Sequence, residues 1–138
     1  MKRESGKTEM IRAVVEGICY HLRWMLECQE KKVRTSEVLR FCGGGALSPV
    51  TAQILADITG RRVEVPDSPQ NVGSVGAALT AAVGLGGIGS MEEIAGLISA
   101  KYSFEPRTEF EKVYQRNYVV FKALHASNKK LFARLRGE

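Results

Sequence analysis

No apolar run in the 138 residues approaches the roughly 18 that cross a bilayer, and the start, MKRESGKTEM, is charged where a secretory leader would be apolar. These absences predict a cytoplasmic chain with no membrane partner. Cysteine is scarce at three residues, with no Cys-x-x-Cys pair. Cys19 and Cys28 lie nine positions apart on what reads as one helix, about 13 Å at 1.5 Å per residue, too far to bridge. An odd number of buried thiols suits a reducing compartment. The only two histidines, His21 and His125, are distant in sequence, so no metal site is expected. Aromatics are 7% of the chain, too few and too scattered for a single-strand stacking platform.

What the sequence does contain is 44% hydrophobic residues, enough for the core of one domain. The net charge of +5 is unevenly spread. Residues 1–36 hold eight basic and five acidic side chains, residues 37–100 three and six, and residues 101–138 nine and four. The glycine-rich centre is the acidic part. The basic excess sits on the terminal segments, where a solvated helix face is the common reading, and no nucleic-acid partner is expected.

Ile11, Val14, Val15, Ile18, Leu22, Met25 and Leu26 recur at spacings of three and four, which predicts a helix from Glu9 to about Glu30, capped by Thr8. Gly17 inside it points to close backbone packing. EVLRFC (37–42) and RVEVP (62–66) read as short strands. Between them, Ser48-Pro49 is a strong helix start and Gly60 a stop. VGSVGAALTAAVGLG, from Val72, is a helix of small residues that should lie close to a neighbour or a ligand. Ser90 with Glu93, and Thr108 with Glu111, match the capping-box spacing. The second opens a long final helix carrying Phe110, Val113, Tyr114, Phe121, Leu124, Leu131, Phe132 and Leu135. Mostly helix with two strands is too little sheet to stand alone, so the chain reads as a piece of a larger α/β domain.

Two phosphate motifs fail. Gly6-Lys7-Thr8 ends like a P-loop but has Met1 where the first glycine belongs, and in CGGGALSP Ser48 replaces the third glycine of a dinucleotide fingerprint. What remains is strand, Gly43-Gly44-Gly45, Ala46, and a helix beginning at Ser48 or Pro49. Bare backbone and small side chains there can lie along a nucleotide, or can simply make a tight turn. Asp57 and Asp67 read as helix-end and turn residues rather than catalytic bases.

The blocks RAVVEG (12–17), CGGGALSPVTAQILADITGRRVEVP (42–66), GSVGAALTAAVG (73–84) and YSFEPRTEFEKVYQRNYVVFKAL (102–124) resemble, in order and spacing, the C-terminal half of FGGY-family carbohydrate kinases, in wording nearest the xylulokinase-like branch. The resemblance implies a partial ribonuclease H-like domain of the actin-like ATPase group, spanning 1–138 with two short parallel strands. It also implies ATP with Mg2+ as cofactors, adenosine at Gly43, Gly44, Gly45, Ala46, Ser48 and Pro49, and transfer of the γ-phosphate to a sugar hydroxyl, a pentulose such as xylulose. Glycerol kinases of this family place a base-contacting asparagine at the position of Pro49. The sugar-binding domain and its catalytic aspartate are expected to be absent, so no catalytic residue is carried over. The alternative is a non-catalytic nucleotide-binding or interaction module. Apolar faces left open by the missing part predict self-association.

Overall fold

The computed structural model describes residues 6–137. Residues 1–5 and Glu138, and with them the charged start and the Met1 position of the rejected P-loop, lie outside the described residues. The elements in chain order are α1 (Lys7–Glu30), β1 (Val38–Arg40), α2 (Pro49–Thr59), β2 (Arg62–Pro66), α3 (Val72–Gly84), α4 (Met91–Leu97), β3 (Ala100–Phe104) and α5 (Glu111–Leu135), with single 3-10 turns at Gly44–Leu47, Pro69–Asn71 and Thr108–Phe110.

α2 is the helix on which the rest is assembled. Ser48 Oγ accepts the amide of Thr51 at 3.3 Å and Pro49 occupies the first helical position, so the start is fixed by side-chain chemistry alone. Gly60, at φ 69°, ends it by donating its amide to Ala56 O at 2.8 Å, a left-handed conformation that glycine adopts without Cβ strain. Between these ends Ala52, Ile54, Leu55, Ala56 and Ile58 are all buried, since a helix apolar on nearly all sides belongs inside. It packs against α1, α5 and β2.

β1 and β2 are parallel, as a strand–helix–strand unit requires, with Leu39 opposite Val63. β2 is central, because β3 adds antiparallel on its other side, giving the order β1-β2-β3. β3 is a third strand beyond the two read from sequence. Four of its five residues are exposed, so it lacks the apolar signature of a buried strand. The ladder slips once: Val65 opposes Tyr102 but Pro66 opposes Ala100, so Lys101 is the extra residue of a β-bulge, beside a proline that has no amide to offer.

α5 closes the core against α1. Tyr114 and Tyr118 are buried, and Tyr20 of α1 meets both and Phe121 at ring-centroid distances of 5.6–6.3 Å. Polar contacts border this seam: Arg12 Nη2 donates to Tyr114 Oη at 2.9 Å, Arg23 Nη1 to Ile58 O at 3.0 Å, and Lys122 pairs with Glu27 at 3.1 Å.

Asp57 lies in the last turn of α2, as expected, and is in addition a structural anchor. Its side chain is wholly buried and accepts from Arg107 N at 2.9 Å, Arg107 Nη2 at 2.7 Å and Gln53 Nε2 at 3.0 Å. Arg107, half exposed and stacked on Phe110 at 4.5 Å, thereby ties the β3–α5 loop to α2.

Several local expectations are not met. Thr8 lies inside α1, whose N-cap is Gly6 with no side-chain bond. A Cβ at Gly17 would meet nothing within 4 Å, so no backbone packs there. Ser90 is the N-cap of α4 but makes no capping bond, and the 3-10 turn at Thr108–Phe110 displaces the second capping box. α3 has no buried residue, and its glycines face open space. Cys19 is buried, whereas Cys28 and Cys42 are exposed.

Two outcomes follow. Removing one partner of a buried ion pair leaves uncompensated polar groups, so Asp57→Ala should lower unfolding free energy by about 3 kcal/mol in urea titration; a loss below about 1 kcal/mol would refute the anchor. Burial also pushes the Cys19 thiol up from 9.0 to about 11 and the Tyr20 hydroxyl from 10.0 to about 12, and raises Tyr114 and Tyr118. The folded state therefore holds these protons at pH values where the unfolded chain has lost them, and stability falls as pH rises. The urea midpoint should be flat near neutrality and decline through pH 9 to 12; a midpoint unchanged across that window would contradict the burial of these groups.

Candidate functional site

The parallel strands β1 and β2 both point their carboxyl ends at one edge of the sheet, where ligands of open α/β sheets bind. The β1–α2 and β2–α3 loops meet there. Phe41 N prolongs the β1–β2 ladder onto Glu64 O at 2.9 Å, and two residues later Gly43 N donates to Pro69 O at 2.8 Å. Between them the loops and β3 enclose a cavity of about 310 Å³, lined by Ala46, Leu47, Pro49, Ser68, Lys101 and Tyr102 among others. Its size falls at the lower end of small-molecule pockets.

The three glycines play different parts. Gly43 has φ 89° and ψ −178°, a region essentially closed to residues with a Cβ, and its conformation turns the chain back toward the β2–α3 loop. Gly45 is confined, since a Cβ there would lie 3.2 Å from Phe41 Cζ. Gly44 is open: a side chain would meet nothing within 4 Å. Gly43 too has open space where a Cβ would be, so its glycine is required by conformation, whereas Gly44 has neither a positive φ nor a neighbour to exclude a side chain. Ala46 is buried and forms part of the cavity wall, with its amide on Gly43 O at 3.1 Å.

Ser48 and Pro49 serve the helix more than a ligand. The Ser48 amide bonds Gly45 O at 3.4 Å, Pro49 has no amide, and Thr51's amide is taken by Ser48 Oγ. Among the described residues that leaves Val50 as the first-turn donor without a partner. The helix start therefore offers one free amide, not the full set an uncapped start would. Pro49 itself lines the cavity through its ring.

The opposite wall went unnoticed in the sequence. Ser68 lies at φ 50°, among the described residues the one non-glycine with positive φ, at a cost of about 1–2 kcal/mol. The bulge at Lys101 carries its side chain to Asp67, 2.7 Å away, and that contact draws the Asp67 carboxyl below its usual value. Both groups are largely exposed, so the pair is weak in stability terms. Its effect is to leave a balanced, not a positive, rim. Tyr102 supplies an aromatic face there, 55% exposed. The only sequence signal for this wall was Asp-Ser-Pro following a strand.

Elsewhere, His21, Cys28 and His125 come to one groove between α1 and α5, with His125 edge-on to Trp24 at 5.1 Å. No group of three metal-binding side chains occurs among the described residues, nor a helix long and apolar enough to cross a membrane.

The roles of Gly43 and Gly44 separate by substitution. Gly43→Ala should cost about 2 kcal/mol of stability, while Gly44→Ala, with no clash, should stay within about 0.5 kcal/mol of wild type; equal effects in urea titration would show that the turn is not strained.

Residues 1–85 match the profile of the FGGY family of carbohydrate kinases, C-terminal domain. The chain is 32% identical over 133 residues to a xylulose kinase of Staphylococcus epidermidis, covering 94% of this chain and 26% of that one. It is 34% identical over 110 residues to a glycerol kinase of Pseudomonas fluorescens, covering 77% and 22%. Identity alone does not separate those two branches. Among solved structures, a ligand-bound xylulose kinase from Lactobacillus acidophilus superimposes with a TM-score of 0.83 at 22% identity, over 98% of this chain and 27% of that one, which establishes the shared fold, that of the actin-like ATPases. The chain spans about a quarter of the length of these relatives, and through the match of its first 85 residues it belongs to the FGGY family of carbohydrate kinases, as a C-terminal domain.

Proposed function

We propose that this chain is the nucleotide-binding C-terminal portion of an ATP-dependent carbohydrate kinase, with adenosine lying along Gly43–Pro49 and a pentulose such as xylulose as acceptor. The observation that carries the reading is the cavity at the carboxyl ends of β1 and β2, walled by Ala46, Leu47, Pro49 and Tyr102, the first three following Gly43–Gly45 in the same loop. An adenine ring needs apolar walls and few donors, and these residues fit it: a methyl group, a proline ring and an aromatic face. Pro49 has no side-chain amide, so base contact here is through shape.

This chain has no dedicated carboxylate cage for Mg2+: Asp57 is engaged by Arg107 and Gln53, Asp67 pairs with Lys101 on the exposed rim, and no group of three metal-binding side chains occurs among the described residues; in kinases the ion rests chiefly on the substrate phosphates. No step is routed through the ion in this chain.

Phosphoryl transfer in kinases depends on positioning and electrostatics more than on covalent chemistry. The share of this chain is to hold the nucleoside and exclude water from one side of it. Asp57 cannot serve as base, since its carboxylate is buried and held by Arg107, and Asp67 is a turn residue paired with Lys101 on the exposed rim. On this reading the isolated chain binds nucleotide without turning over, and it self-associates where its apolar faces are uncovered.

Titration calorimetry with ADP should give micromolar binding, with Gly44→Trp weakening it at least tenfold at unchanged helical circular dichroism. Absence of binding by the wild-type chain would end the proposal. Mixed with ATP and pentuloses, the chain should form no sugar phosphate; robust turnover would show that a catalytic base had been overlooked.

A further inference from the structure

Two loops of unlike chemistry line the cavity at the carboxyl ends of β1 and β2. The β1–α2 loop supplies the apolar Ala46, Leu47 and Pro49, and the β2–α3 loop brings the polar side chains of Asp67, Ser68 and Gln70. β3 completes the lining with Lys101 and Tyr102. Successive side chains of a regular strand point to opposite faces; these two share one cavity because Lys101 is the extra residue of the bulge.

Among the described residues, Asp67 and Lys101 are the only charged side chains lining this cavity. They lie 2.7 Å apart, so its polar end holds one charge of each sign and no net charge. A phosphate seated there would face the carboxylate, and like charges in contact repel. A neutral sugar meets no such conflict. An ionised carboxylate is an acceptor only and has capacity beyond the single bond from Lys101 Nζ, and hydroxyl bonds to it are about twice as strong as bonds between neutral groups. Position agrees with chemistry. Neighbouring strands are about 4.8 Å apart, so a base held by the loop after β1 brings its sugar within reach of the end of β2, where Asp67 is the first residue past the strand. Parallel sheets that bind dinucleotides use an acidic residue about 20 positions beyond the glycine turn for the ribose 2′-hydroxyl. The next residue, Ser68, is held at φ 50° and ψ 54°, strain of the kind that collects at ligand clamps. On the reading that this chain binds adenosine, we propose that Asp67 is its ribose-binding residue: the carboxylate accepts the 2′- and 3′-hydroxyls, Lys101 positions it, and the phosphates lie outside this rim.

Calorimetry on the full chain with ADP and with 2′,3′-dideoxy-ADP tests the assignment. The wild-type chain should bind the dideoxy nucleotide at least about tenfold more weakly. Asp67→Ala should bind both equally, at the level wild type shows for the dideoxy form. Lys101→Ala breaks the same ion pair but keeps the carboxylate, and should still favour ADP by about threefold or more. Dideoxy-ADP bound by wild type as tightly as ADP, or a preference surviving Asp67→Ala, would overturn the proposal and leave the nucleotide reading standing. So would loss of the preference in Lys101→Ala as complete as in Asp67→Ala, which would trace it to the ion pair. Xylulose should not compete with ADP; competition would give the diol site to the acceptor sugar instead. Should Asp67→Ala fail to fold, the wild-type ratio alone decides. No binding of ADP at all would end the nucleotide reading and this proposal together.

Discussion

The carboxylate of Asp57 has no exposed surface, and the fold depends on how it is satisfied. Taking a charge out of water costs several kcal/mol unless donors replace the lost hydration. Here the donors come from three places: the next turn back in α2, the backbone of the β3–α5 loop, and the guanidinium of Arg107. The last two come from a loop that directly follows β3, so they go together with the pairing of β3 to β2. A single buried charge thus ties the helix at the centre of the molecule to the strand that closes the sheet, and positions the start of α5 against α1. Beyond that constraint, β3 is held mainly by its backbone ladder and by the exposed Lys101–Asp67 pair, since its side chains are mostly exposed.

The elements legible in the sequence are those whose signal is local. α1, α2, β1, β2 and α5 carry strong apolar spacing, and the ends of α2 are written in Ser48, Pro49 and Gly60 as single-residue chemistry. α2 came out with the bounds expected. β3 did not, because AKYSF alternates weakly and its stability derives from pairing with β2, a partner far away in the chain. The capping boxes were misread for a related reason: Thr108 and Glu111 have the right spacing, but an intervening 3-10 turn moves the helix start to a position that spacing alone cannot distinguish. Asp57 was legible as a helix-end residue, but its anchoring role was not, since nothing local announces an arginine fifty residues on.

The candidate site divides the same way. Its β1–α2 loop was visible from CGGGALSP, although the cavity is lined there by Ala46, Leu47 and Pro49 and not by the glycines, of which one is needed for its backbone conformation and one for the ring of Phe41. The opposing wall, Ser68 with Lys101 and Tyr102, is assembled from two loops brought together by the sheet, and no motif marks it. α3 shows a further limit. Its run of small residues promised close contact, yet those surfaces are open, which is how such a helix appears when the layer it would meet belongs to another stretch of polypeptide.

The bulge at Lys101 has a consequence for topology. Side chains of a strand point alternately to its two faces, so one unpaired residue reverses the parity of everything before it. Deleting it would turn Ala100 over and deliver the short helix α4 to the reverse side of the sheet. An insertion or deletion at this spot would therefore leave the strand largely intact and act by inverting the route of the chain that leads into it.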